Sequence, residues 1–173
     1  SKIIFTVNEA GLTKVFLLET TNLTYKPIPS LPEGLIGSIN WRRNSDEFVF
    51  VYSSARNNSD IYTHDLATGK TERWTESELG GINATNLSEP ELIKWKSFDG
   101  LEVSGFYYKP SSKFSGKRPV IISIHGGPEG QYRPGFQGRN NSFLEEMGVA
   151  IIYPNVRGSD GFGKTFVKLD NGM

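Results

Sequence analysis

The strongest constraint on the fold is a repeat of short β-strand segments in the first half of the chain. Phe50 follows Phe5 by 45 residues and Ile61 follows Val15 by 46, and each lies in an apolar segment bounded by turn residues. A period near 45 residues, filled by four short strands, is typical of β-propeller blades. The spacing therefore predicts parts of two blades.

The two repeat units differ in completeness. The second is predicted to hold four strands, at 37–41, 48–52, 60–63 and 73–75, whereas the first holds three, at 3–7, 15–18 and 25–28. The first unit lacks its innermost strand, so the chain is expected to begin inside a blade. Because roughly four or more blades are needed to close a propeller, these units form an incomplete piece. A small irregular sandwich with accidental self-similarity is the alternative.

The pattern changes after a polar segment rich in Gly and Asn, residues 78–90, which is predicted to be a linker. Asp99-Gly100 then indicates a hairpin turn. Two nearly continuous apolar runs, 119–124 and 149–153, are typical of parallel strands buried on both faces. The order predicts an α/β domain with an antiparallel edge. We place the domains at 1–85 and 86–173.

The 24 residues between the two apolar runs, 125–148, are enough for a crossover helix. Ser142 and Glu145 fit a capping box, and Phe143, Leu144 and Met147 share one helical face. Gly148 is expected to end the helix in a left-handed conformation. In a half-built sheet, the strand at 149–153 is expected to keep an unpaired flank, which favours aggregation.

Composition excludes several classes of protein. The 173 residues carry 19 basic and 19 acidic side chains, which leaves no electrostatic basis for a nucleic-acid binder. No cysteine is available for a disulfide, a thiolate metal site or a nucleophile. No apolar run approaches the roughly 18 residues of a membrane span. Nothing favours a cytoplasmic over a periplasmic or secreted location, and no cofactor or metal is implied.

The loop after the first buried strand reads HGGPEGQ, from His125 to Gln131. Two glycines at the carboxyl end of a parallel strand let the backbone turn tightly and present its amides to the crevice. Such amides can stabilise the oxyanion of an acyl-transfer reaction. A second glycine-rich loop, YPNVRGSDGFG, follows the second buried strand at 153–163.

Together the two loops resemble those of the prolyl oligopeptidase family of serine peptidases, especially its acylaminoacyl-peptidase and dipeptidyl-peptidase branches. Phe162 stands where the family usually has Tyr. The resemblance implies a β-propeller, which restricts substrate size, followed by an α/β-hydrolase domain. It also implies cleavage of short peptides by acyl transfer, with a Ser, Asp, His triad in that chain order.

The resemblance gives each motif residue a role. It implies that the Gly127 backbone amide is an oxyanion donor and that Gly126 belongs to the same oxyanion loop. Structural roles near the site are implied for four residues, His125, Pro128, Arg157 and Gly158.

The nucleophile is expected outside this chain. A nucleophile elbow needs G-x-S-x-G, and no serine here has glycine at both positions; Ser159 is nearest, with Gly161 after it and Arg157 before it. The only histidines are His64, expected to form a surface pair with Asp65, and His125. The triad is therefore expected after residue 173, and this chain alone is predicted to be inactive. The remainder of the same polypeptide would complete the fold and the site, and a homo-oligomer is possible.

Three other functions compete with this interpretation. An esterase or lipase on the same fold would lack the upstream propeller, and a non-catalytic propeller module would leave Gly127 without a fixed conformation. Residues Gly158–Thr165 also match the G-x-x-x-x-G-K-[ST] pattern of a P-loop. Against a nucleotide site, four residues separate the apolar strand from Gly158, and Asp160 would place a carboxylate among the phosphates.

Overall fold

A computed structural model describes residues 1–127 and 129–169 of the chain. Its strands form three sheets. Sheet I has the order β1-β2-β3 and comprises β1 (Lys2–Glu9), β2 (Leu12–Glu19) and β3 (Thr24–Pro27). Sheet II has the order β4-β5-β6-β7 and comprises β4 (Leu35–Trp41), β5 (Glu47–Ser54), β6 (Asn57–Asp65) and β7 (Thr71–Arg73). The predicted three-strand and four-strand units are thus confirmed as two antiparallel sheets.

The β1–β2 hairpin closes through a two-residue turn. Glu9 pairs with Leu12, and between them Ala10 and Gly11 both have positive φ, at 51° and 88°. Positive φ at both central residues is the turn geometry whose twist matches that of the flanking strands. The hairpin predicted around residues 8–11 is confirmed.

Sheets I and II pack face to face around one core. Alternate residues of the central strands are buried, as expected for strands with one face in a core. The core comprises Val15, Leu17, Ile28, Ile36, Phe48 and Phe50. Phe48 and Phe50 of β5 are its largest side chains, and both are fully buried.

Three polar residues of β6 are buried, Asn57, Asp60 and His64. The Asp60 carboxylate accepts hydrogen bonds from Arg73 at 2.5 Å, from the Thr75 hydroxyl at 3.0 Å and from the Ser77 amide at 2.8 Å. Burial alone would raise the pKa of Asp60, but these hydrogen bonds outweigh it, and the pKa lies below its ordinary value. Asp60 therefore ties the start of the linker to sheet II.

His64 corrects an expectation from the sequence. It is buried rather than part of a surface pair, with Nδ1 2.8 Å from the Thr71 hydroxyl and its ring against Phe48. Burial lowers its pKa, which favours the neutral ring. Asp65 instead accepts the amides of Ala67 and Thr68 in the β6–β7 turn. His64 is buried because it pairs with Phe48 of β5, and both side chains lie on the core face of sheet II.

Sheet III combines a hairpin with a parallel pair. It comprises β8 (Pro90–Lys96), β9 (Glu102–Tyr108), β10 (Val120–Ile122) and β11 (Ala150–Asn155), in the order β10-β11-β9-β8. The β10–β11 pair is parallel and the other two pairs are antiparallel. The predicted parallel strands and antiparallel edge are confirmed. A short 3-10 turn, Ala84–Asn86, interrupts the preceding linker.

The apolar strand with an unpaired flank in sheet III is not the one predicted. β11 pairs with β10 on one side and with β9 on the other, so both of its flanks are hydrogen-bonded. The two edge strands are β8 and β10. On β10, Val120 and Ile122 are 47% and 65% exposed, and Ile124 just beyond it is 62% exposed. The expectation that 119–124 is buried on both faces is therefore wrong here, because no described element packs on these side chains.

The crossover helix is shorter than the sequence suggests. After a 3-10 turn at Gly138–Asn140, α1 spans only Asn141–Glu145. The capping box is wrong, because Asn140 occupies the N-cap and the Ser142 hydroxyl donates to the Arg139 carbonyl instead.

The face predicted for this helix is only partly confirmed. Leu144 is fully buried and Phe143 packs against the core of sheet III, but Met147 is 56% exposed. Gly148 follows the helix with φ of +66°, as predicted for its end. The helix ends too early for Met147 to share the buried face of Leu144. No helix in the described part of the chain is long and apolar enough to cross a membrane.

Candidate active site

The glycine-rich loop leaves sheet III at the carboxyl end of β10. The Ser123 amide still donates to the Ile152 carbonyl at 2.9 Å, and the chain then turns away from the sheet. A Cβ at Gly127 would lie 2.7 Å from the backbone nitrogens of both Glu129 and Gly130. Backbone atoms cannot move aside as the end of a side chain can, so only glycine fits this turn. Pro128, predicted to support the site, lies outside the described residues.

The two glycines of this loop keep their amides available. Gly126 and Gly127 are exposed, and within the described residues neither N–H group donates a hydrogen bond. Most backbone amides of a folded chain are paired with backbone, side chain or water. Two successive unpaired amides at the end of a parallel strand can therefore donate to a ligand oxygen.

Backbone hydrogen bonds hold this loop against the second glycine-rich loop. The Asp160 amide lies 3.2 Å from the Glu129 carbonyl oxygen and 3.1 Å from that of Gly130, and it donates to both. The two loops follow β10 and β11, which are parallel neighbours, so their carboxyl ends meet at one edge of the sheet. The structure brings together the two motifs that carry the resemblance.

A histidine–serine contact joins the same two loops. His125 Nε2 lies 2.8 Å from the Ser159 hydroxyl, and this hydroxyl donates to the Val156 carbonyl at 2.6 Å. Ser159 is fully buried, and His125 Nδ1 faces the carbonyl of Gly126, not a carboxylate. A nucleophile needs access to substrate and a base oriented by a third group. The geometry of the pair lacks both requirements, and the contact links the two loops.

Asn155 is a site residue to which sequence reasoning gave no role. It is the last residue of β11 and is 1% exposed. Its Oδ1 accepts the Tyr132 amide at 2.8 Å, and its Nδ2 donates to the Tyr132 carbonyl at 3.2 Å. This two-point contact fixes the backbone directly after the glycine-rich loop. The available signal was an amide side chain ending an otherwise apolar parallel strand, since a buried polar side chain requires a partner.

A stack of tyrosines lies beneath this contact. The rings of Tyr132 and Tyr153 are parallel within 3° with centroids 3.8 Å apart, and Tyr108 meets both edge-on. Gln137 donates to the Tyr132 hydroxyl and accepts from that of Tyr153. Burial raises the pKa of Tyr108 to about 12 and raises that of Tyr132 further above its ordinary value, so both remain protonated at neutral pH. They support the loop as neutral residues.

Arg157 connects the second loop to the tip of the β8–β9 hairpin. Its Nη1 donates to Asp99 Oδ2 at 2.6 Å, and its guanidinium lies 5.2 Å from the centroid of the exposed Phe98 ring. The hydrogen bond from Arg157 holds the pKa of Asp99 below its ordinary value. Gly158 follows with φ of +84°, and a Cβ there would lie 3.2 Å from the Leu169 carbonyl oxygen.

The P-loop-like segment, Gly158–Thr165, packs closely against two side chains at Gly161. A Cβ at Gly161 would lie 2.6 Å from the side-chain nitrogen of Gln131 and 2.8 Å from that of Asn8. The helix that follows, α2 (Lys164–Val167), has only four residues. Across residues 1–127 and 129–169, no group of three or more His, Cys, Asp or Glu side chains is placed to hold a metal ion.

Sequence and structure comparisons identify relatives along nearly the whole chain. No family model matches the sequence. An uncharacterized peptidase of Bacillus subtilis is 28% identical over 171 residues, which cover 95% of this chain and 24% of that protein. Prolyl oligopeptidase A of Galerina marginata is 26% identical over 140 residues, which cover 78% of this chain and 19% of that protein. The acylaminoacyl peptidase of Pyrococcus horikoshii superposes with a TM-score of 0.74 at 28% identity, covering 95% of this chain and 25% of that one.

These relatives first define a class: they are peptidases with a β-rich, propeller-like fold, and this chain shares that fold. The homologues and structural neighbours of the chain are, more specifically, peptidases of the prolyl oligopeptidase family. The resemblance found in the two loop motifs is thereby confirmed. The chain spans about a quarter of the length of the relatives it matches.

Proposed function

We propose that this chain is the junction between propeller and hydrolase in a serine peptidase of the prolyl oligopeptidase family, and that it supplies the oxyanion half of the active site. Sheets I and II correspond to propeller blades within residues 1–85. Sheet III is the beginning of an α/β-hydrolase domain that occupies residues 86–173. The face-to-face packing of two antiparallel sheets and the parallel β10–β11 pair support this division.

The observation that carries the proposal is the unpaired, exposed amide of Gly127 at the carboxyl end of β10, with no partner among the described residues. In acyl transfer the carbonyl oxygen of the substrate becomes negatively charged, and a preorganised amide stabilises this charge. Gly127 donates to that oxygen, and Gly126 shapes the same turn. His125, Pro128, Arg157 and Gly158 hold the loops and take no part in bond making.

The remaining chemistry belongs to the rest of the polypeptide. The nucleophilic serine, the general base and its orienting acid lie outside these 173 residues, and short peptides are the substrates. The same remainder covers the exposed apolar side chains of β10. The isolated chain is inactive and associates through that edge.

The test replaces Gly127 by Val in the full-length enzyme. A Cβ at this position meets two backbone nitrogens at 2.7 Å, so the turn must distort and the amide must move. We expect kcat to fall about 10²- to 10³-fold, as for loss of one oxyanion donor, with KM little changed. The control is Gly81→Val, which also has positive φ but has no atom within 4 Å of a Cβ. Equal kcat values for the two variants would refute the role of Gly127.

A further inference from the structure

The tip of the β1–β2 hairpin, residues 8–13, reaches across to sheet III beside the glycine-rich loop. This tip belongs to sheet I and is distant along the chain, since 123 residues separate Asn8 from its partner Gln131. Three independent contacts join it to sheet III and to the chain segment that follows the loop. None of them is needed to form either sheet, so each is informative about how the two parts are held together.

The first contact is the close packing of Gly11 against Phe106 and Pro134, which we call the Gly11 seat. A Cβ at Gly11 would lie 2.9 Å from the Phe106 ring of β9 and 3.6 Å from Pro134 Cδ. Phe106 is 3% exposed and belongs to the core of sheet III. The hairpin tip therefore rests directly on a rigid, buried side chain, where even one methyl group does not fit.

The second contact uses a partly buried charge. Arg133 donates from Nε to the Gly11 carbonyl at 2.9 Å and from Nη2 to the Thr13 hydroxyl at 2.9 Å. Both acceptors are neutral, and within the described residues Arg133 forms no salt bridge. A guanidinium removed from water without a carboxylate partner depends strongly on the hydrogen bonds that remain.

The third contact has a defined orientation. Asn8 Oδ1 accepts the Gly11 amide at 3.1 Å, so the other atom of its side chain is the donor Nδ2, which lies 2.6 Å from Gln131 Oε1. The side-chain nitrogen of Gln131, Nε2, therefore points away from Asn8. It is buried and has no hydrogen-bond partner among the described residues. Both amide groups lie against Gly161 of the second loop.

These contacts converge on the segment that ends the glycine-rich loop. Gln131 follows directly on Gly130, whose carbonyl accepts the Asp160 amide, and Tyr132 is held on its other side by Asn155. The far end of the loop is thus fixed by the hairpin tip as well as by β11. A shift of the tip changes the end point of the loop and with it the direction of the Gly127 amide.

We propose that the β1–β2 hairpin tip is a positioning element for the oxyanion loop, acting through the Gly11 seat, Arg133 and the Asn8–Gln131 hydrogen bond. This inference rests on the proposed function, since it assigns an effect on the Gly127 amide. It makes sheet I a part of the catalytic apparatus without any contact to substrate. A displacement of about 1 Å in such a support is enough to lower turnover strongly.

The main test compares Gly11→Ala with Gly69→Ala in the full-length enzyme. Both glycines have positive φ, at +88° and +71°, so both substitutions introduce similar backbone strain. Only Gly11 contacts sheet III, because a Cβ at Gly69 meets nothing within 4 Å. We expect Gly11→Ala to lower kcat about tenfold relative to Gly69→Ala, with KM within about twofold. Equal kcat values in two folded variants would overturn the proposal.

A second pair of variants serves if Gly11→Ala does not fold. Asn8→Ala removes an exposed side chain, and we expect about a threefold loss of kcat, consistent with one hydrogen bond. Asn8→Asp should restore turnover, because the carboxylate still accepts the Gly11 amide and the unpaired Gln131 nitrogen can turn towards it. Asn22→Ala is the control, since among the described residues Asn22 accepts hydrogen bonds from Thr24 alone. Unchanged kcat in Asn8→Ala would reject the positioning role.

The result is separable from the proposed function. If Gly127→Val abolishes turnover while the hairpin variants retain it, the oxyanion role stands and the positioning role fails. If Gly127→Val leaves kcat unchanged, the proposed function fails, and any loss in the hairpin variants has another origin.

Discussion

In sheets I and II every strand pairs with its neighbour in sequence, whereas in sheet III β11 lies between β10 and β9. The first arrangement is built from hairpins, whose turns can be recognised from short sequence segments. The second needs a long crossover between β10 and β11, residues 123–149, which carries both the glycine-rich loop and the short helix α1. Both glycine-rich loops of the candidate site lie in this second region, because the parallel β10–β11 pair leaves its loops at one edge of the sheet.

The two regions also differ in whether all of their apolar side chains are covered. Phe48 and Phe50 of sheet II are fully buried against sheet I. On β10 of sheet III, Ile122 is 65% exposed. The sheet I–sheet II core is therefore covered within the described residues, whereas the apolar side chains of β10 are not.

The largest expected effect tests this contrast in burial. In the full-length protein, Phe48→Ala should lower the free energy of unfolding by about 3–5 kcal/mol. Ile122→Ala should lower it by about 2–4 kcal/mol if the remainder of the polypeptide buries Ile122, as proposed. Leu23→Ala is the control, since Leu23 is 75% exposed in the turn between β2 and β3 and its loss should change stability by no more than about 0.5 kcal/mol. Denaturant unfolding measures all three. An Ile122→Ala variant as stable as Leu23→Ala would show that the β10 edge is a native surface.

A smaller effect sharpens the account of sheet II. Arg73→Met removes the charged partner of the buried Asp60 and should lower the free energy of unfolding by about 2–3 kcal/mol. The matched control is Arg42→Met, because Arg42 pairs with Glu47 at 2.6 Å but is 72% exposed. Such surface pairs contribute little to stability, because solvent screens them. Equal losses in the two variants would contradict the role assigned to Asp60.

The role of Asp60 also predicts the direction in which stability changes with pH. The pKa of Asp60 is lowered in the folded state, so its contribution is present above the unfolded value of about 3.9 and is lost as the pH falls through the folded pKa. Without Arg73 the folded pKa rises, and the acid-induced loss of stability begins at higher pH. Urea unfolding of wild type and Arg73→Met across the acidic range measures this shift. Parallel pH profiles would show that Arg73 does not stabilise the Asp60 carboxylate.

Much of the fold follows from local sequence signals. The turn at Ala10-Gly11, the hairpin at Asp99-Gly100 and the left-handed conformation of Gly148 were predictable because each depends on a residue's own conformational preference. The parallel pair was predictable from two apolar runs with a long connection between them. The insertion of β11 beside β9 was not, because strand order depends on contacts far apart in sequence.

The supports of the candidate site show the same limit of local reasoning. The glycine-rich loop could be located from its sequence, as could the second loop that it meets. The burial of Ser159 beneath His125, the two-point contact from Asn155 and the Asn8–Gln131 hydrogen bond could not. Each pairs polar groups brought together only by the packing of whole sheets. The hydrogen-bond partners of polar residues in or beside strands are therefore the features least predictable from the sequence.

The most direct test of the central claim is to locate the nucleophile with a serine-reactive fluorophosphonate. The full-length protein and the isolated 173-residue chain are each incubated with the reagent, and the labelled residue is identified by mass spectrometry. The account predicts stoichiometric labelling of the full-length protein at a serine outside residues 1–173, and no labelling or peptide-anilide turnover by the isolated chain. Labelling of the isolated chain, at Ser159 or any other of its serines, would contradict it.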